Sequence, residues 1–271
     1  MLSELSRPAL VGVLNVTPDS FSDGGLFAGH AEAVAHARAL VGDGAAIVDV
    51  GGESTRPGAE SVTLDEELRR VLPVVETLVA EGIAVSVDTV KAEVARRVLA
   101  AGAVMINDVS ALRAEPELGE VVAEAGAALC LMHMQGTPKT MQLDPRYDDV
   151  VGEVGGFLEE RLAFALACGV QQSEIALDPG IGFGKTLEHN IELLRRLPEL
   201  VAIGQPLYLG VSRKHTIGLI IGRDAPADRV AGSVAAAVIA ARRGAALLRV
   251  HDVRETADAL AVELALEARA E

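Results

Sequence analysis

The chain has 271 residues, of which 50% are hydrophobic, 23% charged and 3% aromatic. This composition is typical of a globular protein and excludes disorder, collagen-like repeats and low complexity for most of the chain. There are 24 basic and 39 acidic residues, and the formal net charge of −15 argues against general nucleic-acid binding because it repels phosphates. The length allows two domains, but α/β barrels of this size are commonly one domain.

The amino-terminal residues predict no secretory signal, because no basic stretch is followed there by an apolar run. No apolar stretch in the sequence reaches the length that crosses a membrane. The two cysteines, Cys130 and Cys168, fall in different predicted elements and indicate neither a disulfide framework nor a zinc site. We therefore expect a reduced, cytoplasmic protein.

Short apolar runs alternate with longer helical patterns along the whole chain. The runs are nearly all apolar, as in parallel strands that are covered on both faces. The predicted strands are residues 9–15, 46–50, 84–88, 104–108, 128–133, 175–178, 207–212 and 247–250. The predicted helices are residues 30–41, 64–80, 91–101, 115–125, 147–168, 187–197, 227–243 and 255–267.

These eight strand–helix units average about 34 residues, the size of a βαβ unit. Eight right-handed units close most simply into a (β/α)8 TIM barrel, which predicts a single domain over residues 1–271. A doubly wound open sheet is the alternative. Its glycine-rich loop would follow the first strand, where the sequence instead reads NVTPDS at residues 15–20.

Nearly every predicted strand stops on polar residues at its carboxyl end, and in a barrel these ends meet at one mouth, where active sites are built. A cap on the following helix is the alternative for Asp88 and Asp178. Arg249 lies inside an apolar strand and cannot be a cap. The polar residues at the strand ends include Asn15, Asp88, Asn107, His133, Asp178, Ser212, Lys214, Arg249 and His251.

This mixture of side chains indicates the kind of ligand. Carboxylates and an amide, at Asp88, Asn107 and Asp178, can donate to and accept from a flat polar heterocycle. A local cluster of cationic side chains on a protein of net charge −15 indicates a pocket for phosphate, diphosphate or carboxylate. The candidate cations are Lys214, Arg249, His251 and Arg56, and Asn15, Asp19 and Asp23 can place a hard cation beside the anion.

Two loops are longer than a barrel needs, at residues 16–29 and 51–63. Loops of this length are often lids or binding loops. Asp49 and Glu53 are expected to organise the second of them.

A glycine-rich run, DPGIGFGKT at residues 178–186, has the wrong glycine spacing for a Walker A motif. Phe183 in this run can face a flat ligand. His133, in an apolar strand, is interpreted as a hydrogen-bonded structural histidine. No chemistry is assigned to Lys185 or Arg213.

Eight sequence blocks, in chain order, resemble the dihydropteroate synthase family of folate biosynthesis. The first two blocks are long and specific, and together the blocks span nearly the whole chain. They are NVTPDSFSDGG at 15–25, DVGGESTRPG at 49–58, SVDT at 86–89, IND at 106–108, LMHMQG at 131–136, DPG at 178–180, SRK at 212–214 and RVHD at 249–252.

The resemblance implies that p-aminobenzoate displaces diphosphate from a dihydropterin methyl diphosphate, with Mg²⁺ held by Asn15. The residues implied for the pterin diphosphate are Thr55, Asp88, Asn107, Asp178, Lys214, Arg249 and His251. Those implied for p-aminobenzoate are Thr55, Arg56, Pro57, Phe183 and Ser212. The catalytic residues implied are Asp23, Arg56, Asp178 and Lys214.

The helix predicted at residues 227–243 has no polar side chain beyond Ser233 between residues 231 and 241. A helix outside a barrel should expose a polar face. We therefore expect a second packing surface and a homodimer through this region, which the family also favours.

Three other functions remain open from the residues. A pterin-dependent methyltransferase shares the barrel, although the second loop and the pair Arg249 and His251 argue against it. An aldolase would use Lys214 as a Schiff base. A non-catalytic pterin-binding paralogue would keep the pocket and lose the two long loops.

Overall fold

Eight parallel strands form a closed barrel in the part of the chain that the computed structural model describes, residues 1–17, 25–54, 58 and 61–267. Each strand pairs with the next, and β8 closes the barrel by pairing with β1. The predicted (β/α)8 barrel is confirmed and the open sheet is wrong. The strands are β1 Ala9–Asn15, β2 Ile47–Gly51, β3 Val85–Asp88, β4 Met105–Asp108, β5 Ala128–Met132, β6 Ile175–Asp178, β7 Leu207–Leu209 and β8 Ala245–Val250.

Helices surround the barrel and follow the predicted order. They are α1 Gly25–Gly42, α2 Leu64–Ala80, α3 Ala92–Ala100, α4 Leu118–Ala125, α5 Val150–Ala167, α6 Leu187–Arg195, α7 Leu197–Val201, α8 His215–Ile221, α9 Val230–Arg242 and α10 Val253–Glu267. Short 3-10 turns lie at Leu2–Glu4, Gln172–Glu174 and Pro226–Arg229.

Two of these helices, α7 and α8, are absent from the sequence prediction. The chain between β7 and α9 was expected to be a strand end followed by a loop, but β7 stops at Leu209 and α8 intervenes. The large helix then begins at Val230 rather than at residue 227, because the preceding residues form a 3-10 turn.

The hydrophobic core has two layers, as the barrel requires. The inner layer fills the barrel with side chains such as Ile47, Met105 and Tyr208, and Leu2 of the first 3-10 turn packs with them. The outer layer joins the strands to the helices. The end of the barrel that carries the carboxyl ends of the strands is left for polar side chains.

Both cysteines are unpaired thiols, with Cys130 buried in the inner layer. Burial raises the pKa of the Cys130 thiol well above its ordinary value, so it is a packing residue. Across the described ranges, no helix combines the length and the apolar character needed to traverse a bilayer.

Candidate active site

Strand register brings the predicted polar residues of β1, β3 and β4 into one row, with a glycine of β2 between the first two. Asn15 is paired with Gly51, Gly51 with Asp88, and Asp88 with Asn107. A Cβ placed on Gly51 would lie 3.6 Å from Asn15 Oδ1 and 3.8 Å from Asp88 Cβ. The missing side chain of Gly51 therefore leaves space between the side chains of Asn15 and Asp88 at the mouth of the barrel.

Arg249 joins two buried carboxylates across the barrel. Its Nε donates to Asp49 Oδ2 at 2.6 Å and its Nη2 donates to Asp88 Oδ2 at 3.2 Å. Asn107 Nδ2 also donates to Asp49 Oδ2, at 3.2 Å. Although burial opposes the charge of Arg249, the neighbouring carboxylates hold its pKa above the ordinary value.

Asp49 bonds to residues inside the barrel among the described residues, and its predicted role in organising the second loop stays a prediction. Side chains alternate along a strand, and position 49 falls on the face of β2 that points into the barrel. The residue is fully buried, and its Oδ1 has no hydrogen-bond partner among the described residues. Its role is to hold Arg249 and Asn107, two residues predicted to bind substrate.

Asp88 lies where a small change in surroundings alters its charge. Burial raises its pKa to about 7, Arg249 opposes that shift and Asp49 adds to it. A carboxyl with this pKa exchanges its proton near neutral pH, and can therefore either accept or donate a hydrogen bond to a ligand.

Neither Asp88 nor Asp178 caps a helix, so the capping alternative is wrong for both. Helix α3 has Lys91 at its N-cap and no side-chain cap, and α6 is capped by Thr186. Asp178 Oδ1 instead accepts the backbone N–H of Gly180 at 2.7 Å.

A cation, a carboxylate and an aromatic ring meet after β6 and β7. Lys214 Nζ donates to the carbonyl of Ile181 at 2.6 Å and lies 4.6 Å from the ring centroid of Phe183. Burial lowers the pKa of Lys214 to about 8, an effect that Asp178 opposes. Burial likewise raises the pKa of Asp178, opposed by Lys214. A flat heterocycle with donors and acceptors at its edge suits this arrangement.

The loops after β7 and β8 are fastened together. The backbone N–H of His251 donates to Ser212 Oγ, and His251 Nδ1 lies 3.1 Å from the same atom. Arg213, which has a φ of 56°, donates from Nε to Asp252 Oδ2 at 3.0 Å. Arg213, to which no chemistry was assigned, thus ties together the loops that carry Lys214 and His251.

The glycine-rich run presses closely against the end of β5. Gly180 has a φ of 67°, and a Cβ there would lie 1.9 Å from the carbonyl oxygen of His133. Gly184 has a φ of 64°, and its Cβ would lie 2.8 Å from the carbonyl oxygen of Gln135. His133 is buried and hydrogen-bonded, as interpreted from the sequence, and its partner is Lys185.

A cavity of about 550 Å³ lies beside the mouth, between the loops that follow β2 to β5, and Asp88 lies at its wall. This volume is within the range of small-molecule pockets. At its edge, Lys91 Nζ lies 2.5 Å from Glu53 Oε2 and 2.5 Å from Glu67 Oε2. Glu53 is thus fixed at the base of the second long loop.

Asn15 is the metal ligand that the resemblance implies. It ends β1, and its Oδ1 lies in the same row as Asp88. Within the described part of the chain, no group of three or more His, Cys, Asp or Glu side chains can hold a metal ion.

Four predicted site residues lie outside the described residues: Asp23, Thr55, Arg56 and Pro57. Asp19 lies outside them as well.

Comparison with known proteins supplies a family for this arrangement. Residues 11–251 match a family described as "Pterin binding enzyme". The chain is 51% identical over 267 residues to a dihydropteroate synthase of Neisseria meningitidis serogroup B, covering 97% of this chain and 94% of that protein.

Solved structures agree with that match. A Xanthomonas albilineans dihydropteroate synthase with 4-aminobenzoic acid has a TM-score of 0.92 and 52% identity, with 97% of this chain and 94% of that chain covered. A dihydropteroate synthase from the same organism in complex with 7,8-dihydropteroate has a TM-score of 0.89 and 49% identity, with 99% and 95% covered.

Proposed function

Because the chain belongs to the dihydropteroate synthase family, we propose that it joins p-aminobenzoate to a dihydropterin methyl diphosphate. The amine nitrogen attacks the methylene carbon, the carbon–oxygen bond breaks, and diphosphate leaves with the bonding electrons. The nitrogen then loses a proton, and dihydropteroate is formed. The observation that carries this proposal is the row of buried polar side chains at one barrel mouth, in a chain that matches these synthases over almost its full length.

The pterin ring is assigned to the buried polar groups. Asp88, Asn107 and Asp178 are each less than a tenth exposed, and Lys214 lies beside Asp178. Their carboxylates, amide and ammonium match the donors and acceptors on the edge of a pterin. Phe183, under Lys214, offers an aromatic face.

The diphosphate is assigned to Arg249 and His251 on the β8 side, where Arg249 supplies positive charge and the His251 ring can donate a hydrogen bond. Asn15 fits Mg²⁺ because magnesium is usually held by one or two protein oxygens together with waters and substrate phosphates. When bound, Mg²⁺ would neutralise charge that develops on the leaving diphosphate.

Asp178 and Asp23 are assigned to electrostatic stabilisation of the partial positive charge that develops on the methylene carbon and the pterin as the carbon–oxygen bond breaks. No strong base is required, because an aryl amine is a neutral nucleophile at pH 7. The p-aminobenzoate pocket is assigned to Thr55, Arg56, Pro57, Phe183 and Ser212, of which Phe183 lies under Lys214 and Ser212 contacts His251.

The relatives from Neisseria meningitidis and Escherichia coli, 51% and 50% identical to this chain, are named dihydropteroate synthase, which favours the synthase over the methyltransferase, the aldolase and the non-catalytic paralogue. We further propose that residues 1–271 act as one cytoplasmic pterin-binding domain, an inference from the uninterrupted barrel pattern and the unpaired cysteines.

A homodimer through α9 is also part of the proposal. The buried residues of α9 are Ser233, Ala237 and Ala240, whereas Ile239 is 49% exposed. On the neighbouring α8, Leu219 is 49% and Ile220 is 52% exposed. Light scattering at micromolar concentration should give the mass of two chains, and a single-chain mass would refute the dimer.

The test of the proposed function is dihydropteroate formation from the two substrates, with Mg²⁺ or with EDTA. We expect product with Mg²⁺, loss of most product with EDTA, and none from Lys214→Ala. Pterin binding without product from the unaltered enzyme would overturn the proposal. Product that is insensitive to EDTA would remove only the metal assignment.

A further inference from the structure

Lys185 is a buried cation that the proposed reaction does not use. Its side chain is 3% exposed, between the glycine-rich run and the end of β5. Its Nζ lies 3.0 Å from the carbonyl oxygen of Gly180, 2.9 Å from that of Phe183 and 2.9 Å from His133 Nδ1.

The three neighbours of this nitrogen can all accept a hydrogen bond from it. The two carbonyls are acceptors only. Burial, together with the charges of Lys185 and Arg113, lowers the pKa of His133 to about 2, so its ring is neutral, and beside an ammonium, which can only donate, Nδ1 is the accepting nitrogen. An ammonium has three N–H groups, one for each of these three atoms.

The charge of Lys185 is set by its surroundings. Burial lowers its pKa to about 7, Asp178 opposes that shift and Lys214 adds to it. Hydrogen bonds to all three acceptors favour the ammonium, which also lies close enough to Asp178 to stabilise its carboxylate.

Two of the acceptors belong to the segment that positions the predicted substrate contacts. The N–H of Gly180 donates to Asp178 Oδ1 at 2.7 Å. When Lys185 holds the carbonyl of Gly180, it therefore also holds the Asp178 carboxylate in place. Fixing the carbonyl of Phe183 orients the residue whose ring lies under Lys214. The third acceptor, His133, ties both to β5.

We propose that Lys185 is a positioning residue, whose ammonium holds the Asp178 carboxylate and the Phe183 ring at the spacing that the pterin and p-aminobenzoate need. This inference rests on the proposed function. In this proposal Lys185 touches neither substrate and acts through Asp178 and Phe183, the two residues assigned to substrate contact.

The same segment has another tether that provides a matched control. Tyr147 Oη donates to the carbonyl of Gly184 at 2.8 Å. This bond lies beyond Phe183 in the chain, and neither of its residues is assigned to a substrate. Tyr147→Phe therefore removes one hydrogen bond from the same loop without releasing Asp178 or Phe183.

The test compares Lys185→Met with Tyr147→Phe in the full-length enzyme. Methionine keeps the length and apolar packing of lysine and removes every donor. We expect Lys185→Met to raise the KM for p-aminobenzoate and the Kd for the dihydropterin diphosphate by about tenfold each, a change of about 1.4 kcal/mol. Tyr147→Phe should leave both within about twofold.

The outcomes separate positioning from plain stability. A residue that only stabilises the fold would lower the fraction of active enzyme, and hence the apparent kcat, while leaving KM and Kd unchanged. That result for Lys185→Met would overturn the inference. Inactivity of the unaltered enzyme would instead overturn the proposed function.

A second pair of variants keeps the test usable if Lys185→Met does not fold. His133→Leu removes the anchor on β5, and His133→Gln restores an acceptor. We expect His133→Leu to raise both constants in the same direction, and His133→Gln to return them to within about twofold of the unaltered enzyme. Equal constants for the two His133 variants would contradict the inference.

Discussion

The two sides of the barrel mouth hold their charges in different ways. On the side of β8 and β2 to β4, here called the strand side, Arg249 pairs with the carboxylates of Asp49 and Asp88. On the side of β5 to β7, here called the loop side, Lys185 and Lys214 donate mainly to main-chain carbonyls of residues 178–186.

This difference separates two ways of making a polar site rigid. On the strand side, barrel register fixes the positions of the charged side chains, and each buried charge needs its partner of opposite sign to offset the loss of hydration. On the loop side, the two lysines hold the carbonyls of the loop, so the shape of the loop depends on their ammonium groups. We therefore expect charge changes to act on stability on the strand side, and on substrate constants on the loop side.

The largest expected effect is on the strand side. Arg249→Ala leaves Asp49 and Asp88 buried without their cation, and should lower the free energy of unfolding by about 3–5 kcal/mol, besides abolishing synthesis. Urea unfolding followed by circular dichroism measures this. The control is Arg254→Ala, which breaks an exposed pair with Asp43 and should cost less than about 1 kcal/mol. Equal losses of unfolding free energy for the two variants would show that the buried strand-side charges contribute no more to stability than an exposed ion pair.

Asp49→Asn tests the strand side by removing the charge of Asp49 while keeping its shape. It should lower the free energy of unfolding by about 2–3 kcal/mol, because a charged hydrogen bond to Arg249 is lost. The negative charge of Asp49 raises the pKa of Asp88, so the variant should bring that pKa below its value of about 7. Carboxyl ¹³C NMR titration measures it, and an unchanged or higher pKa of Asp88 would show that the two acids do not interact.

Lys214 tests the loop side through pH. Its pKa of about 8 means that the ammonium is present below that pH and is lost as pH rises through it. The ammonium, assigned to the edge of the pterin, binds a ring acceptor more strongly than a neutral amine does, so the affinity for dihydropterin diphosphate should be about tenfold weaker at pH 9 than at pH 7. Equilibrium binding across this range measures it. Lys214→Met should bind weakly and lose the pH dependence centred near pH 8, while any change near pH 7 that arises from Asp88 or Lys185 remains. An unaltered step near pH 8 would assign that titration to another group.

The smallest expected effect is at the end of the loop side. Thr186 caps α6 by accepting the backbone N–H of His189. Thr186→Ala should lower the free energy of unfolding by about 1 kcal/mol. It should leave the KM for p-aminobenzoate and the Kd for dihydropterin diphosphate unchanged, because the cap lies beyond the residues that Lys185 holds. Thermal unfolding and steady-state kinetics measure the two quantities. A raised KM here would mean that the whole loop, not the ammonium, positions substrate.

Much of the fold was predictable because parallel strands in a barrel are buried on both faces and their apolar runs stand out. Helix α8 was not, since Gly218 interrupts its apolar run. A Cβ on Gly218 would lie 2.5 Å from the carbonyl oxygen of Arg223 and 2.6 Å from Arg229 Nε. Gly218 therefore makes room for Arg229. Tertiary packing makes this segment helical, although its local sequence propensity predicts a loop.

The site divides in the same way. Residues at strand ends, such as Asn15, Asp88 and Asn107, follow from barrel geometry alone. Asp49 was missed because its partner Arg249 is 200 residues away and only register shows that both point inward. The bond between Lys185 and His133 spans 52 residues through two loops, and no local pattern predicts it.

Gly180 and Gly184 restrict how this protein can change under selection. Both have positive φ, and at both a side chain would collide with the backbone at the end of β5. A side chain at either position would displace the loop that holds Asp178 and Phe183. Substitutions that persist in this segment should therefore be confined to positions where the backbone leaves room for a new side chain.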